Sequence, residues 1–208
     1  MNKVHYIFAL FTFVVFCILW MTYETDAIKA FDQRASDLLF GIDSITWFHY
    51  LGETKVIFGV SLIVLVMIWV RLRDYNLMFF VFLTIGIGYG LYQFLKRVVE
   101  RPRPEIVDQF TTFSFPSGHA THGILFLLTL AFVFSRLVKS KKASQVGWIM
   151  AIIIFVLIGL SRVTEGRHFA SDVLAGWSLG YTWFIICAWW YFISHSDLNK
   201  LPRTNSKN

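Results

Sequence analysis

One histidine in the chain is followed at helical spacing by a carboxylate that could activate it. His168 lies four residues before Asp172, so on a helix both side chains project from the same face. A carboxylate that accepts a hydrogen bond from one imidazole nitrogen leaves the other nitrogen free and more basic. The pair therefore predicts a histidine activated for nucleophilic attack or proton abstraction. Taken alone, the same spacing also suits a structural pair.

A second histidine follows a Pro-Ser-Gly turn at 116–118 that opens an apolar stretch. The first amides of a helix have no partner within the helix, and its N-terminus carries a positive partial charge, so such a turn binds phosphate well. Gly118 would let the backbone approach a ligand closely. His119 would then stand at the mouth of this anion site, where it could donate a proton. A capped helix start with an incidental histidine is the alternative.

A cluster of cations occupies residues 96–104, KRVVERPRP. Lipid headgroups attract such a patch by about 1 kcal/mol per cation. The two prolines, however, restrict the backbone of the residue before each of them, which holds Arg101 and Arg103 in extended conformation. A patch that only attracted headgroups would not need this rigidity. The segment therefore predicts an anion site, and Arg162 in a third polar segment, 161–172, adds a further cation.

The composition shows what kind of fold must hold these segments. Of the 208 residues, 56% are hydrophobic, 18% are aromatic and only 15% are charged. A soluble domain is roughly 25% charged, and disorder requires low hydrophobicity, so both classes are excluded. The net charge of +6 does not indicate nucleic acid, because no basic stretch alternates with polar or repeat patterning. The chain is predicted to be a helical integral membrane protein.

Six apolar stretches are long enough to cross a bilayer, which takes about 20 residues. They lie near 6–22, 55–70, 76–95, 120–138, 146–160 and 173–194. The first could be a signal peptide, but no A-x-A-like cleavage site follows it, which favours a retained helix. We therefore predict an all-α, six-transmembrane helix bundle that forms a single domain over 1–208. Span parity puts all three polar segments on the same side, opposite the termini.

The segment between the first two spans has a different pattern. Apolar and charged residues alternate there at three- to four-residue spacing, which predicts an amphipathic helix either lying in the outer interface or packing over the bundle. The apolar positions are Ile28, Phe31, Leu38, Leu39, Ile42 and Ile45, and the charged ones are Lys29, Asp32, Arg34 and Asp37.

The distribution of cations predicts the orientation. The 19 Lys and Arg residues divide into ten on the side of the termini and nine on the other side. Six of those nine belong to the two clusters 96–103 and 162–167. If the clusters serve chemistry, ten cations stand against three, which predicts cytoplasmic termini and an outward-facing site. The ten comprise Lys3, Arg71, Arg73, Arg136, Lys139, Lys141, Lys142, Lys200, Arg203 and Lys207.

Together the three segments resemble the signature of the type-2 phosphatidic acid phosphatase family: K-x6-R-P, P-S-G-H and S-R-x5-H-x3-D. Every signature position matches, within residues 96–172. The resemblance implies a membrane lipid phosphatase in which His168 is the nucleophile and forms a phosphohistidine, Asp172 holds its imidazole, and His119 protonates the leaving group. It also implies that no metal or other cofactor is required. The residues that it implies for phosphate binding are Lys96, Arg103, Ser117, Gly118 and Arg162.

Within this family the signature leaves the substrate open. A lipid phosphate from the outer leaflet, such as phosphatidylglycerol phosphate, is the leading expectation, and undecaprenyl pyrophosphate is the alternative. A soluble phosphate ester is disfavoured because the motifs adjoin the spans. The related haloperoxidases are mainly soluble, and a non-enzymatic lipid-binding or transport protein would not need the His168–Asp172 pair.

Basic and histidine residues outside the signature are given lesser roles. Arg97, Arg101 and Arg167 are expected only to attract anionic headgroups. His49 is interpreted as isolated, and His122, one turn after His119, as a packed residue.

Overall fold

The computed structural model describes residues 2–198, and over this range its regular structure is helical. Six helical spans are long and apolar enough to cross a membrane, which confirms the predicted all-α bundle. Four spans are single helices: α1 (Lys3–Thr22), α7 (Gly118–Leu137), α8 (Lys141–Thr164) and α9 (Ala170–Leu198). The second span is α4 (Thr54–Met67) prolonged by a π turn (Ile68–Leu72), and the third is α5 (Tyr75–Val81), a π turn (Phe82–Ile87) and α6 (Gly88–Val99). The second and fifth spans are thus longer than the apolar stretches predicted for them near 55–70 and 146–160.

Helix α7 is the centre of the bundle. Within its most apolar 18 residues 72% are buried, against 22% in α1 and in α4. It packs against α4, α6, α8 and α9, and α1 packs on the outer side of α9. The helix that carries the Pro-Ser-Gly-His turn is therefore surrounded by protein, so its first turn is held firmly in place.

Two glycines bring α9 close to α7. A Cβ on Gly176 would lie 2.9 Å from both the Cβ of Ala120 and the carbonyl oxygen of Ser117, and Gly180 meets Ile124 in the same way one turn further on. Small residues four apart permit this close packing of membrane helices. As a result, the amide of Ser117 donates to the carbonyl of Asp172 at 3.0 Å, and the two helix N-termini lie side by side.

The segment before the second span forms two pieces instead of one amphipathic helix. Helix α2 (Asp26–Leu39) ends at a turn where Gly41 adopts a φ of +80°. A short helix, α3 (Asp43–Thr46), and a tight 3₁₀ turn (Trp47–Gly52) follow. Helix α2 packs over α8 and α9, as the second interpretation predicted, while its Leu38 remains 77% exposed. Of the cations counted for orientation, Lys200, Arg203 and Lys207 lie outside the described residues.

Candidate active site

The three polar segments meet at one end of the bundle, as their placement on one side of the membrane predicted. The ammonium of Lys96, at the end of α6, donates to the carbonyl of Phe113 at 2.7 Å, just before the start of α7. Arg103 lies 3.1 Å from the ring of His168, between α8 and α9. Residues 96–172 therefore build one site, although Arg103 and His168 are 65 positions apart in the sequence.

The hydrogen bonds of His168 define its tautomer. A guanidinium can only donate, so the contact between Arg103 Nη1 and His168 Nε2 makes Nε2 an acceptor. The proton of the neutral ring is then on Nδ1, which faces Asp172 Oδ2 at 3.4 Å. Because Nδ1 points at a carboxylate and Nε2 carries a lone pair toward the cations, Nε2 is the nitrogen available for attack.

The charge state of His168 suits this assignment. The ring is buried, and the positive charges of Lys96, Arg103 and Arg162 surround it, so its pKa is lowered well below the usual value for histidine. The ring is therefore neutral at neutral pH. Arg103 keeps its charge there, although burial and its cationic neighbours lower its pKa to about 10.

Asp172 is fully buried and has two roles in the local structure. Its Oδ2 accepts from the backbone amide of Phe169 at 3.0 Å, which caps the N-terminus of α9. The same oxygen faces His168, and Oδ1 accepts from Arg101 Nη1 at 2.6 Å. The structural and catalytic interpretations of this residue are thus both compatible with its contacts.

The interpretation of Arg101 as a headgroup cation is wrong. Its side chain is only 5% exposed, and its guanidinium is bonded to Asp172 and to Asp32 on α2. Asp32 was also missed from the site. The available signal was its position in α2: it shares a face with Ile28, Ala35 and Leu39, which pack inward, so a carboxylate interrupts the apolar face.

The remaining phosphate-binding candidates surround the ring of His168 and the start of α7. Lys96 uses two carbonyl acceptors, those of Phe113 and Ser114, and an ammonium has three donors, so one N–H remains for a ligand. Ser117 is the N-cap of α7, and its hydroxyl accepts from the amide of Ala120 at 3.4 Å. Gly118 follows as the first helical residue. A Cβ there would lie 3.0 Å from the ring of Tyr92, so a larger residue would crowd this turn.

Arg162 and His119 both carry buried nitrogens that have no hydrogen-bond partner within the described residues. In Arg162 this atom is Nε, while Nη1 donates to Glu165 at 3.0 Å. In His119 it is Nε2. His119 also lies within electrostatic range of Arg162, His168 and Lys96. A phosphoryl oxygen or a leaving oxygen would satisfy these donors.

His49 is not isolated, contrary to its interpretation from sequence. Its Nδ1 lies 2.8 Å from Glu165 Oε1, the carboxylate that also holds Arg162. The turn that carries His49 ends at Gly52, where a Cβ would lie 2.9 Å from the ring of His119. The segment before the second span therefore closes one side of the site, a long-range contact for which the sequence contains no motif.

The other two lesser cations and His122 fit their interpretations only in part. Arg97 is exposed, as expected for a headgroup contact. Arg167 instead donates to the carbonyl of Asp108 at 2.5 Å, and its own carbonyl accepts from Arg103. His122 is packed as predicted, with its ring centroid 5.4 Å from that of Phe58 and from that of Tyr89.

An open cavity of about 1030 Å³ leads to His168. One wall is α2, with Lys29, Gln33 and Ser36, and another is the loop that carries Arg103 and Pro104. The cavity therefore has room for a group larger than phosphate alone. Among residues 2–198, no three His, Cys, Asp or Glu side chains are grouped so that they could hold a metal ion.

The fold and the site together are those of a membrane-embedded phosphoryl-transfer enzyme. Residues 77–196 match the model of the PAP2 superfamily, and the chain belongs to that superfamily of metal-independent membrane phosphatases. The chain is 31% identical to phosphatidylglycerophosphatase B of Bacillus subtilis, over 84% of this chain and 90% of that one.

Other relatives are lipid phosphatases as well. Lipid A 1-phosphatase of Rhizobium johnstonii is 32% identical over 50% of this chain and 43% of its own length. Undecaprenyl-diphosphatase of Sulfolobus acidocaldarius is 41% identical, over only 34% of this chain and 30% of its own length. A crystal structure of a transmembrane PAP2 type phosphatidylglycerolphosphate phosphatase from Bacillus subtilis superimposes with a TM-score of 0.79 and 26% identity, covering 95% of this chain and 98% of that one.

Proposed function

We propose that this lipid phosphatase removes the terminal phosphate of a phospholipid such as phosphatidylglycerol phosphate. The observation that carries the proposal is the orientation of His168, with Nδ1 toward Asp172 and the lone pair of Nε2 directed at Arg103 among buried cations. The relative that matches over most of its length and the solved structure that superimposes on this chain are both named for this substrate.

In the first step, Arg103 Nη1 exchanges its hydrogen bond to His168 Nε2 for one to a phosphoryl oxygen, and the freed lone pair of Nε2 attacks phosphorus. The N–P bond forms, the P–O bond to the lipid breaks, and His119 gives its proton to the leaving oxygen. A phosphate dianion beside His119 favours the protonated ring that this step requires. Asp172 keeps the proton of His168 on Nδ1 and stabilises the positive charge that the ring acquires.

In the second step, water attacks the phosphohistidine. His119 accepts the proton of the water, the N–P bond breaks, and inorganic phosphate leaves with His168 neutral again. Throughout both steps, Lys96, Arg103 and Arg162 balance the charge on the phosphoryl oxygens, as a metal ion does in other phosphatases. The amide of Gly118 at the N-terminus of α7, with Ser117 as its cap, adds hydrogen-bond donors to the same oxygens.

The second candidate substrate is undecaprenyl pyrophosphate. The match to an undecaprenyl-diphosphatase favours it, but covers only a third of the chain. Both substrates present a terminal phosphate at the membrane surface, so the same site chemistry serves either one.

Phosphate release by the purified protein separates these substrates. We expect the highest kcat/KM with phosphatidylglycerol phosphate among that lipid, phosphatidic acid and undecaprenyl pyrophosphate, with full activity in excess EDTA and inhibition by vanadate. His168→Ala is the background control. A preference for undecaprenyl pyrophosphate would support the second candidate, and activity that is lost in EDTA and restored by magnesium would overturn the mechanism.

We also propose that the termini are cytoplasmic and the site faces outward, on the balance of ten cations against three. Cysteine labelling in intact cells tests this topology. In a background with Cys17→Ala and Cys187→Ala, Val107→Cys should react with an impermeant thiol reagent, because Val107 is 87% exposed in the loop beside the site. Lys139→Cys, exposed between α7 and α8, is the matched position for the other face. Labelling of Lys139→Cys alone would invert the topology.

A further inference from the structure

We infer that Asp32 and Arg101 are positioning residues for the nucleophile, and that α2 is part of the catalytic apparatus through them. The inference rests on the proposed roles of His168 and Asp172. Neither Asp32 nor Arg101 belongs to the three-part signature.

The four side chains form a continuous chain of contacts. His168 Nδ1 lies 3.4 Å from Asp172 Oδ2, Arg101 Nη1 donates to Asp172 Oδ1 at 2.6 Å, and Arg101 Nη2 donates to Asp32 Oδ2 at 2.8 Å. All four are nearly inaccessible, with 4% of His168, none of Asp172, 5% of Arg101 and 4% of Asp32 exposed. Buried, charge-assisted bonds of this kind hold their partners in fixed geometry.

Further contacts leave the guanidinium of Arg101 little freedom. It lies 4.2 Å from the ring centroid of Phe169 on one side and 5.0 Å from that of Tyr23 on another. Arg101 Nη1 also donates to the hydroxyl of Ser171 at 2.8 Å. A planar guanidinium stacked on aromatic rings presents its two ends in defined directions, here toward the two carboxylates.

Asp32 in turn is fixed to the start of α9. Its Oδ1 accepts from the amide of Ser171 at 2.8 Å, and its Oδ2 accepts from the hydroxyl of Ser171 at 2.7 Å. A carboxylate at a helix N-terminus is favoured by the free amides and by the helix dipole. Residue 32 therefore holds the helix turn that carries Asp172 as well as the cation that Asp172 binds.

The charges of this chain suit a nucleophile that becomes positive. Asp32, Arg101 and Asp172 together carry one net negative charge next to a neutral imidazole. When Nε2 of His168 bonds to phosphorus while Nδ1 keeps its proton, the ring becomes a cation and the four groups reach neutrality. Without the charge of Asp32, Arg101 would by itself neutralise Asp172, and these protein groups would offer the developing imidazolium no net counter-charge in a buried site.

The position of α2 adds a connection to the substrate. Lys29, Gln33 and Ser36 line the cavity that leads to His168, and Asp32 lies in the same helix. The helix that contacts a bound headgroup is thus the helix that supports the nucleophile. If Asp32 had a purely structural role and only fastened α2 to α9, its loss would lower stability and leave kcat unchanged.

The test is the kinetics of Asp32→Asn with p-nitrophenyl phosphate and with phosphatidylglycerol phosphate in detergent micelles. In metal sites, loss of a partner that orients a ligating histidine lowers activity about 10- to 100-fold, and we take that range as the scale here. We expect that decrease in kcat for Asp32→Asn, with KM and vanadate inhibition within about threefold of wild type. Asp37→Asn is the matched control, because Asp37 is an exposed carboxylate on the same helix. It should leave kcat unchanged.

Variants of Arg101 provide the second measurement and keep the test informative if Asp32→Asn folds poorly. Arg101→Met should lower kcat at least as much as Asp32→Asn, and Arg101→Lys should recover part of the loss because a cation is restored. The double variant of Asp32→Asn with Arg101→Met should be close to Arg101→Met alone, because the two residues act in one chain.

The outcomes separate this inference from the proposed function. If Asp32→Asn melts early but keeps the wild-type kcat, Asp32 only fastens the helix, and the inference is overturned while the phosphatase function stands. The same holds if the effects of Asp32→Asn and Arg101→Met simply add. If the wild-type protein itself releases no phosphate from either substrate, the proposed function fails first.

Discussion

The two histidines of the site have opposite surroundings. Both ring nitrogens of His168 have partners, Asp172 on one side and Arg103 on the other, and the ring is held between α8 and α9. His119 lies at the start of α7 against the turn at Gly52, and its Nε2 has no hydrogen-bond partner within residues 2–198. The proposed nucleophile is thus fully oriented by protein groups, whereas the proposed proton donor keeps one ring nitrogen for a ligand.

This difference separates the groups that the protein itself orients from the groups that a bound substrate would complete. A buried polar atom without a partner costs about 1–3 kcal/mol, and Arg162 Nε is in the same condition as His119 Nε2. A bound phosphate ester removes both penalties at once, so these groups gain most when substrate arrives. His168 gains nothing in orientation from the substrate, because its geometry is already set.

The largest loss of activity should follow removal of the proposed nucleophile. Removal of the proposed proton donor should have a smaller effect that depends on the substrate. His168→Ala should abolish phosphoryl transfer for every substrate. His119→Ala should lower kcat for a lipid phosphate by about 10²–10⁴-fold, and much less for p-nitrophenyl phosphate, whose leaving group needs no proton. Steady-state kinetics with both substrates measure the contrast.

Vanadate inhibition is the control for this comparison, because it reports whether the cations still bind an oxyanion in each variant. Equal losses for the two substrates in His119→Ala would contradict its role as proton donor. Substantial turnover by His168→Ala would contradict its role as nucleophile.

A smaller effect is expected when Asp172 is made neutral. In Asp172→Asn the amide nitrogen must face either Arg101, which only donates, or the Nδ1–H of His168. The second arrangement forces the proton of His168 onto Nε2, against the donating group of Arg103. We therefore expect kcat to fall by roughly 10²–10⁴-fold, while vanadate affinity remains near that of wild type.

The cap that Asp172 provides to α9 requires its own control. Asp74 caps α5 through the amide of Leu77 at 2.9 Å, at the opposite end of the bundle. Asp74→Ala should lower the melting temperature, as expected for loss of about 1 kcal/mol, and leave kcat unchanged. If Asp172→Asn behaves like Asp74→Ala, melting early with its specific activity retained, Asp172 is only a cap.

The spans and the grouping of the three motifs could be predicted because each depends on local sequence. A run of apolar residues defines a span by its length, and the number of spans then decides which loops share a face. The contacts of Arg101 could not be predicted this way, because its partners Asp32 and Asp172 lie 69 and 71 positions away. The same holds for His49, which reaches Glu165 only because the turn at Trp47–Gly52 folds back over α8.

Partial signals existed for some of what was missed. Asp32 interrupts the inward face of α2, and a charge on an apolar face usually has a buried partner. The two prolines after Arg101 and Arg103 predicted a rigid anion-binding segment, but they could not distinguish the cation that faces His168 from the one that contacts Asp172. The bonds of Arg101 to Asp172 and Asp32 make that distinction, and they exist only in the folded chain.

The glycine contact between α7 and α9 has a consequence for the precision of the site. The proposed phosphate-binding turn begins α7 and the proposed nucleophile lies just before α9, so their separation depends on how these two helices are aligned along their axes. Gly176 and Gly180 fix that alignment inside the bundle, below both reactive ends, and the bond from the Ser117 amide to the Asp172 carbonyl fixes it again at the surface. Neither helix can slide along the other without losing both contacts. Deformation of the surrounding lipid should therefore leave the spacing between the phosphate-binding turn and His168 unchanged.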